Sequence, residues 1–293
     1  MKKALSIVLL LLVGIIALSS FTIIDDLGRP VKIDQDIKRI ISAAPAVSDY
    51  LKHLNAEDLV VGVTDWDNNI EAEKIGNMTP LNLEKIISLN PDIVFISGGF
   101  QEKELERLEK YNIKTIVINP LSINDIIRDT VLIGTIIDKK EQAIKLSKNL
   151  RERMLNISKE TSTWSEKPTV MYAMISSQNI SSIWTSGTGS FMNELLSIAG
   201  SLNVASPYTG NNGWLSVGPE FIVSKNPDII IVPSYFMGDN SGIETLKSAS
   251  QFKNVNAVKN NKIFSINNDK ASQASPSLIE ALESIYEIIK ESK

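Results

Sequence analysis

Apolar residues fall into short β-branched runs separated by stretches with helical spacing. Arg39–Ser42, Leu59–Val63, Asp92–Ser97 and Lys114–Ile118 read as strands. Between them, Ser48–Leu54, Leu83–Leu89 and Glu102–Tyr111 read as helices. A second series follows: strands at Thr169–Met174, Asp228–Val232 and Lys262–Ile266, helices at Gly189–Ala199, Glu220–Lys225 and Ser277–Lys290. Strand–helix alternation predicts parallel sheets with helices on both faces. Ahead of both, Ile23–Asp25, Asp26-Leu-Gly-Arg29 and Val31–Ile33 read as a hairpin.

Lys139 to Glu166 contains neither Gly nor Pro. Ala143, Leu146, Leu150, Met154 and Ile157 recur at three- and four-residue spacing, the stripe of one long helix. A helix of about 20 residues spans about 30 Å, enough to run across two lobes. An internal repeat favours that arrangement over one large domain. Glu84-Lys-Ile-Ile-Ser-Leu-Asn-Pro-Asp-Ile-Val94 and Glu220-Phe-Ile-Val-Ser-Lys-Asn-Pro-Asp-Ile-Ile230 agree at seven of eleven positions. Lys114–Asn119 and Lys262–Asn267 echo each other in the same order. The expected fold is α/β: two Rossmann-like lobes bridged by a single long α-helix. The expected boundaries are 1–20 for an N-terminal signal, 21–120 for the first lobe, 121–163 for the connection and 164–293 for the second lobe.

Lys2 and Lys3 precede an apolar run from Ala4 to Leu18, closed by Ser19 and Ser20. This is the pattern of a secretory signal, cut near Ser20 or Phe21, or of a retained anchor. Either implies work outside the cytoplasmic membrane, in the periplasm, without a lipid on cysteine, because the chain has no cysteine. That absence also removes thiolate metal sites, Cys nucleophiles and disulfides. A net charge of −4 leaves no basic surplus for nucleic acid. His53 is the only histidine, which disfavours multi-imidazole metal sites and reads as a packed or helix-surface residue. No resident metal or cofactor is expected.

Two lobes imply a cleft walled by the loops at the strands' carboxyl ends. Trp66, Trp184 and Trp214 fall in such loops, and Phe100 and Tyr235 close corresponding loops of the two lobes. These aromatics suit a flat or bulky ligand. Trp184, on a strand-like stretch, can equally pack in the lobe. All arginines lie between Arg29 and Arg153, so Lys270 is the candidate cation of the second lobe. Gly187-Thr-Gly189, ahead of a helix, could hold an anion by its amides.

Arg39–Asp49, Leu59–Val63, Leu83–Asp92, the opening Asp26-Leu-Gly-Arg29-Pro-Val31 and Trp184-Thr-Ser-Gly-Thr-Gly189 together resemble one family. It comprises the substrate-binding proteins of ABC importers for ferric siderophores, cobalamin and haem. The resemblance covers roughly residues 22–290. It implies two lobes joined by one long helix with limited hinge motion, no catalytic residues, and a monomer that delivers its ligand to a membrane permease. It also implies that Glu84 and Glu220, one on top of each lobe, pair with arginines of the permease. As residues alone, each is an acid in the first turn of its helix. The expected ligand is a bulky iron chelate, with a molybdate or tungstate receptor of the same fold as the alternative, and cobalamin or haem as further ones. An extracytoplasmic enzyme using Asp65 and Asp67 lacks a partner nucleophile, and Gly-x-Ser-x-Gly is absent.

Overall fold

The computed structural model describes residues 20–33, 36–176 and 179–293. The expected signal or anchor lies outside the described residues. No helix among them is long and apolar enough to cross a membrane.

Strands β1 (Phe21–Ile24) and β2 (Pro30–Ile33) form the antiparallel hairpin. Its turn is held from within and from below. Asp25 accepts the Leu27 and Arg29 amides, pairs with the Arg29 guanidinium at 2.6 Å and also accepts the amide of Val117. Asp26 accepts the Asn119 amide at 2.6 Å. The Asp-Asp-Leu-Gly-Arg segment therefore clamps the hairpin onto the edge of the first sheet.

That sheet is parallel and runs β5 (Glu73–Lys74), β4 (Val60–Val63), β3 (Ile40–Ser42), β6 (Ile93–Ser97), β7 (Thr115–Ile118). Helices α1 (Pro45–His53), α2 (Leu83–Ser88) and α3 (Glu102–Glu109) connect its strands. The second parallel sheet runs β11 (Leu202–Asn203), β8 (Thr169–Tyr172), β13 (Ile229–Ser234), β14 (Ile263–Asn267). Strands β6 and β13 are buried nearly throughout, as strands covered on both faces must be.

The sequence repeat is a structural repeat. Ile40 pairs with Ile93 in one sheet, and Val170 with Ile229 in the other. Val94 pairs with Thr115, and Ile230 with Ile263. The Asn-Pro-Asp triplet has one job in both lobes. Asn90 and Asn226 end their helices in the left-handed region, at φ 45° and 44°. This lies outside the right-handed α region, which the following proline disfavours; a short polar side chain tolerates the turn that redirects the chain into the sheet. Asp92 then accepts the Lys38 and Arg39 amides, and Asp228 accepts the amide and hydroxyl of Thr169. Each aspartate fixes the start of the neighbouring strand.

The connection contains two helices, α4 (Ile123–Ile136) and α5 (Lys140–Thr161). Only the second is anticipated by the sequence reading. They form a close antiparallel pair: any side chain at Gly134 would collide with Ala143. Near its start α5 borders the first lobe, where Lys139 donates to the Asn55 carbonyl. Near its end it meets the second lobe. There Arg153 binds Glu283 of α11 (Leu278–Glu291) through two bonds of 2.7 and 2.6 Å, and Thr161 donates to the Ile198 carbonyl. One buried apolar cluster runs from Ile40, Phe95 and Ile118 through Ile127, Leu150 and Met154 to Val170, Tyr172, Ile231 and Ile285. A close-packed core shared in this way opposes a wide swing of one lobe against the other.

A small antiparallel sheet, β12 (Trp214–Val217), β10 (Asn179–Ser186), β9 (Met174–Ser176), lies beside the second lobe. It is absent from the sequence expectation. A sheet exposed on one face is polar at alternate positions, so its apolar signal is weak.

Candidate ligand-binding cleft

The carboxyl ends of both parallel sheets open on a cavity of about 870 Å³ between the lobes. That volume lies within the range of small-molecule pockets. The first lobe supplies Ala44–Val47 of the α1 start, Met78, Ser97–Phe100, Glu102 and Ile118–Leu121. The second supplies Trp184, Gly189, Phe191, Asn211, Asn212, Trp214 and Ser272–Ala274.

Local structure explains the placement of these groups. Proline at the first position of α1 turns the chain directly off β3 into a helix. Gln101, fully buried, donates to the carbonyls of Ala43 and Met78, both at 2.7 Å, and accepts the Ser97 amide at 2.7 Å. It locks the Gly98-Gly99 turn, whose Gly99 has φ 72°, and so holds Phe100 outward at 53% exposure. On the opposite wall, Trp214 packs edge-on against Tyr172 and Phe191, with centroids 6.0 and 5.7 Å apart. Phe191 opens helix α6 (Phe191–Ile198). The tryptophan ring is thus preset before any ligand arrives. Trp184, on β10, is 49% exposed, so its ring is not consumed by the lobe core.

Of the sequence candidates, Phe100, Trp184 and Trp214 meet in this cavity. Trp66 and Tyr235 do not line it; they stand exposed in the loops after β4 and β13. Lys270 is not brought to it either. Its ammonium is held by Glu280 at 2.5 Å, in a separate polar recess with Asp49, His53 and Asp269. Trp164 stacks on Tyr286 at 6.1 Å, away from the cavity. The loops after β7 and β14, Ile118–Leu121 and Ser272–Ala274, were missed. The carboxyl-end rule that points to the others applies to them equally; the first straddles the expected boundary at 120/121 between lobe and connection.

Of the amide cradle expected at Gly187-Thr-Gly189, two of the three amides are already spent. The Gly187 amide donates to the Gly213 carbonyl at 2.7 Å, that of Thr188 to Tyr208 at 2.8 Å, and that of Ser190 to Gly187 at 3.2 Å. Glycine stands at 187 because a side chain there would strike the Tyr208 carbonyl. Asp67 is likewise structural, accepting the Asn69 and Ile70 amides from a buried position. Among the described residues, no group of three His, Asp or Glu could hold a metal ion.

Glu84 and Glu220 are the second residues of α2 and of α7 (Pro219–Lys225), and both are exposed. Neither has an ion-pair partner among the described residues. Each of these helices leads into the matching central strand, β6 or β13, so its first turn lies at the carboxyl-end side of its sheet. The two carboxylates accordingly occupy corresponding places on the cleft side of the two lobes.

Paired α/β lobes with a preformed aromatic cleft define a ligand-capture protein of the two-lobe class. Residues 40–270 match the periplasmic binding protein family model, and the chain belongs to that family. It is 28% identical over 276 residues to YvrC, an uncharacterized ABC transporter substrate-binding lipoprotein of Bacillus subtilis, covering 92% of this chain and 85% of that protein. It is 24% identical over 254 residues to a vitamin B12-binding protein of Photorhabdus laumondii, covering 84% and 86%. Its fold matches that of a possible iron-binding (periplasmic solute-binding) protein from Staphylococcus epidermidis with a TM-score of 0.71 at 26% identity, covering 87% and 99%.

Proposed function

We propose that this chain is the solute-binding component of an ABC importer, acting as a monomer outside the cytoplasmic membrane. It captures a bulky metal chelate between its lobes and delivers it to a permease. The observation that carries this reading is the inter-lobe cavity, walled from both sides by Phe100, Trp184, Phe191 and Trp214. Aromatic faces of this size grip a large, partly apolar ligand through dispersion and burial. The relatives named for ABC import, vitamin B12 and iron support the same class of cargo. A small oxyanion would find the Gly187, Thr188 and Ser190 amides engaged.

Phe100, Trp184 and Trp214 are the ligand contacts, and Trp66 and Tyr235 are aromatic groups at the outer ends of the same set of loops. Glu84 and Glu220 are the permease-docking charges, one per lobe, setting orientation as rim ion pairs do. The working unit starts at residue 21, with lobes at 21–120 and 164–293 joined through 121–163.

The test is a titration of the purified protein with a ferric hydroxamate, cyanocobalamin, haemin, ferric citrate and molybdate, read by intrinsic fluorescence. Saturable quenching by a bulky chelate at micromolar or lower concentration is the expected result. Response to molybdate alone overturns the reading.

A further inference from the structure

Among the described residues, the cavity lining carries no cationic side chain, and Glu102 is its only ionisable group. Three cations on neighbouring elements are engaged elsewhere. Lys270, two residues before Ser272, is bound to Glu280. Lys74 donates to the Thr64 and Asp67 carbonyls. Arg128 is held by Asp26, Asp125 and Asp129. The floor itself rests on an acid, since the Asn119 amide donates to Asp26 at 2.6 Å. The starts of α1 and α6 also face the cavity. Each contributes about half a positive charge, which fades within a turn. That does not balance an anionic ligand facing a carboxylate. What remains are neutral amides, chiefly Asn119, Asn211, Asn212 and Gln273.

We propose that the cleft selects its cargo by charge: the chelate is electroneutral or cationic, and Glu102 is the residue that rejects anionic chelates. This rests on the capture reading above. Moving an anion out of water without a counter-charge is costly, and a like charge inside the site adds to that cost. A neutral chelate meets no such barrier and hydrogen-bonds the amides. Glu102 is positioned for the task by the turn it closes. It is the first residue of α3, and its carboxylate accepts the Gly99 amide at 2.9 Å, beside Phe100.

The test compares ferric chelates of similar bulk and different charge: cationic ferrioxamine B, neutral ferrichrome and anionic ferric enterobactin, with neutral cyanocobalamin alongside. Dissociation constants are measured for the native protein, Glu102→Gln and Glu102→Lys. Glu102→Gln keeps an acceptor for Gly99 and so controls for loss of the turn. At least one neutral or cationic chelate should bind about 100-fold or more tighter than the anionic one. That gap should shrink by about 10-fold or more in Glu102→Lys, and less in Glu102→Gln, with the neutral chelates changed only a few-fold. Anionic binding equal to neutral binding, or an unchanged gap in Glu102→Lys, overturns the charge inference and leaves the capture reading standing. Binding of none of the four, nor of haemin or ferric citrate, overturns both.

Discussion

Asp49 in the first lobe holds Ser277 in the second by two hydrogen bonds, 2.9 Å from its amide and 2.7 Å from its hydroxyl. Asp49 is almost fully buried. His53, one turn further along α1, lies 3.4 Å from the Asp49 carboxylate and 3.9 Å from Glu280 of α11, which in turn holds Lys270. Polar contacts thus tie the lobes together on α1, while the apolar cluster ties them through α4 and α5. Removing Asp49 takes the partner from the half-buried amide and hydroxyl of Ser277. Asp49→Ala should lower stability by about 2–4 kcal/mol in chemical denaturation. A loss below about 0.5 kcal/mol would show that the lobes do not depend on this tie.

The same contact gives a pH dependence. The Asp49 hydrogen bond raises the His53 imidazole above its ordinary 6.5, against the opposing effect of burial. Its contribution is full below pH 6.5 and is lost as pH climbs through the raised folded-state value. Asp49 itself is pushed up by burial, but the bond and charge of His53 and the Ser277 amide outweigh this and leave it below 3.8. Its contribution is lost only in stronger acid, as pH falls through that lowered value.

A second acid works in the opposite sense. Asp129 is fully buried on α4, and desolvation, followed by the charge of Asp26, pushes it up to about 8 despite Arg128 beside it. The unfolded chain releases that proton near 3.8. The native state therefore holds more protons between these values, and its stability falls as pH rises from 3.8 towards about 8. Asp129→Asn should flatten that decline, measured as the denaturation midpoint against pH. His53→Gln should remove only the share of the decline that His53 adds above pH 6.5, leaving that of Asp129. An unaltered profile in both variants would contradict the assignment.

Glu84 and Glu220 carry a separable expectation. Joint reversal, Glu84→Arg with Glu220→Arg, should abolish complex formation with the permease, while ligand affinity changes less than about 2-fold. Pull-down against permease in detergent, with a parallel ligand titration, checks both. A complex retained at native affinity would remove the docking role.

Much of this architecture is legible in the sequence because parallel strands are buried on both faces and announce themselves as continuous apolar runs. The Asn-Pro-Asp repeat is readable for a further reason: Asn90, Asn226, Asp92 and Asp228 each perform a local task that few other side chains can. What stayed hidden depends on partners distant in sequence. Helix α4 has a good cap in Ser122, whose hydroxyl accepts the Asp125 amide, yet its buried face is defined by α5. Lys270 looked free because Glu280, which binds it, belongs to the last helix. Gly187-Thr-Gly189 reads as an anion cradle because nothing local shows that the Gly187 and Thr188 amides are taken by Gly213 and Tyr208. Trp66 and Tyr235 sit in loops of the right kind, but which aromatics share one cavity is set by lobe packing.

The central claim is that the cargo binds against Trp184 and Trp214. The direct measurement is tryptophan quenching by the tightest chelate in Trp184→Phe, Trp214→Phe and Trp164→Phe, with affinities from the same titrations. The two cavity variants should together account for most of the quenching, and each should lose about 10-fold or more in affinity. Trp164→Phe, altered where the ring stacks on Tyr286, should retain both. Full quenching and native affinity in the cavity variants, with loss in Trp164→Phe, would place the ligand elsewhere and contradict it.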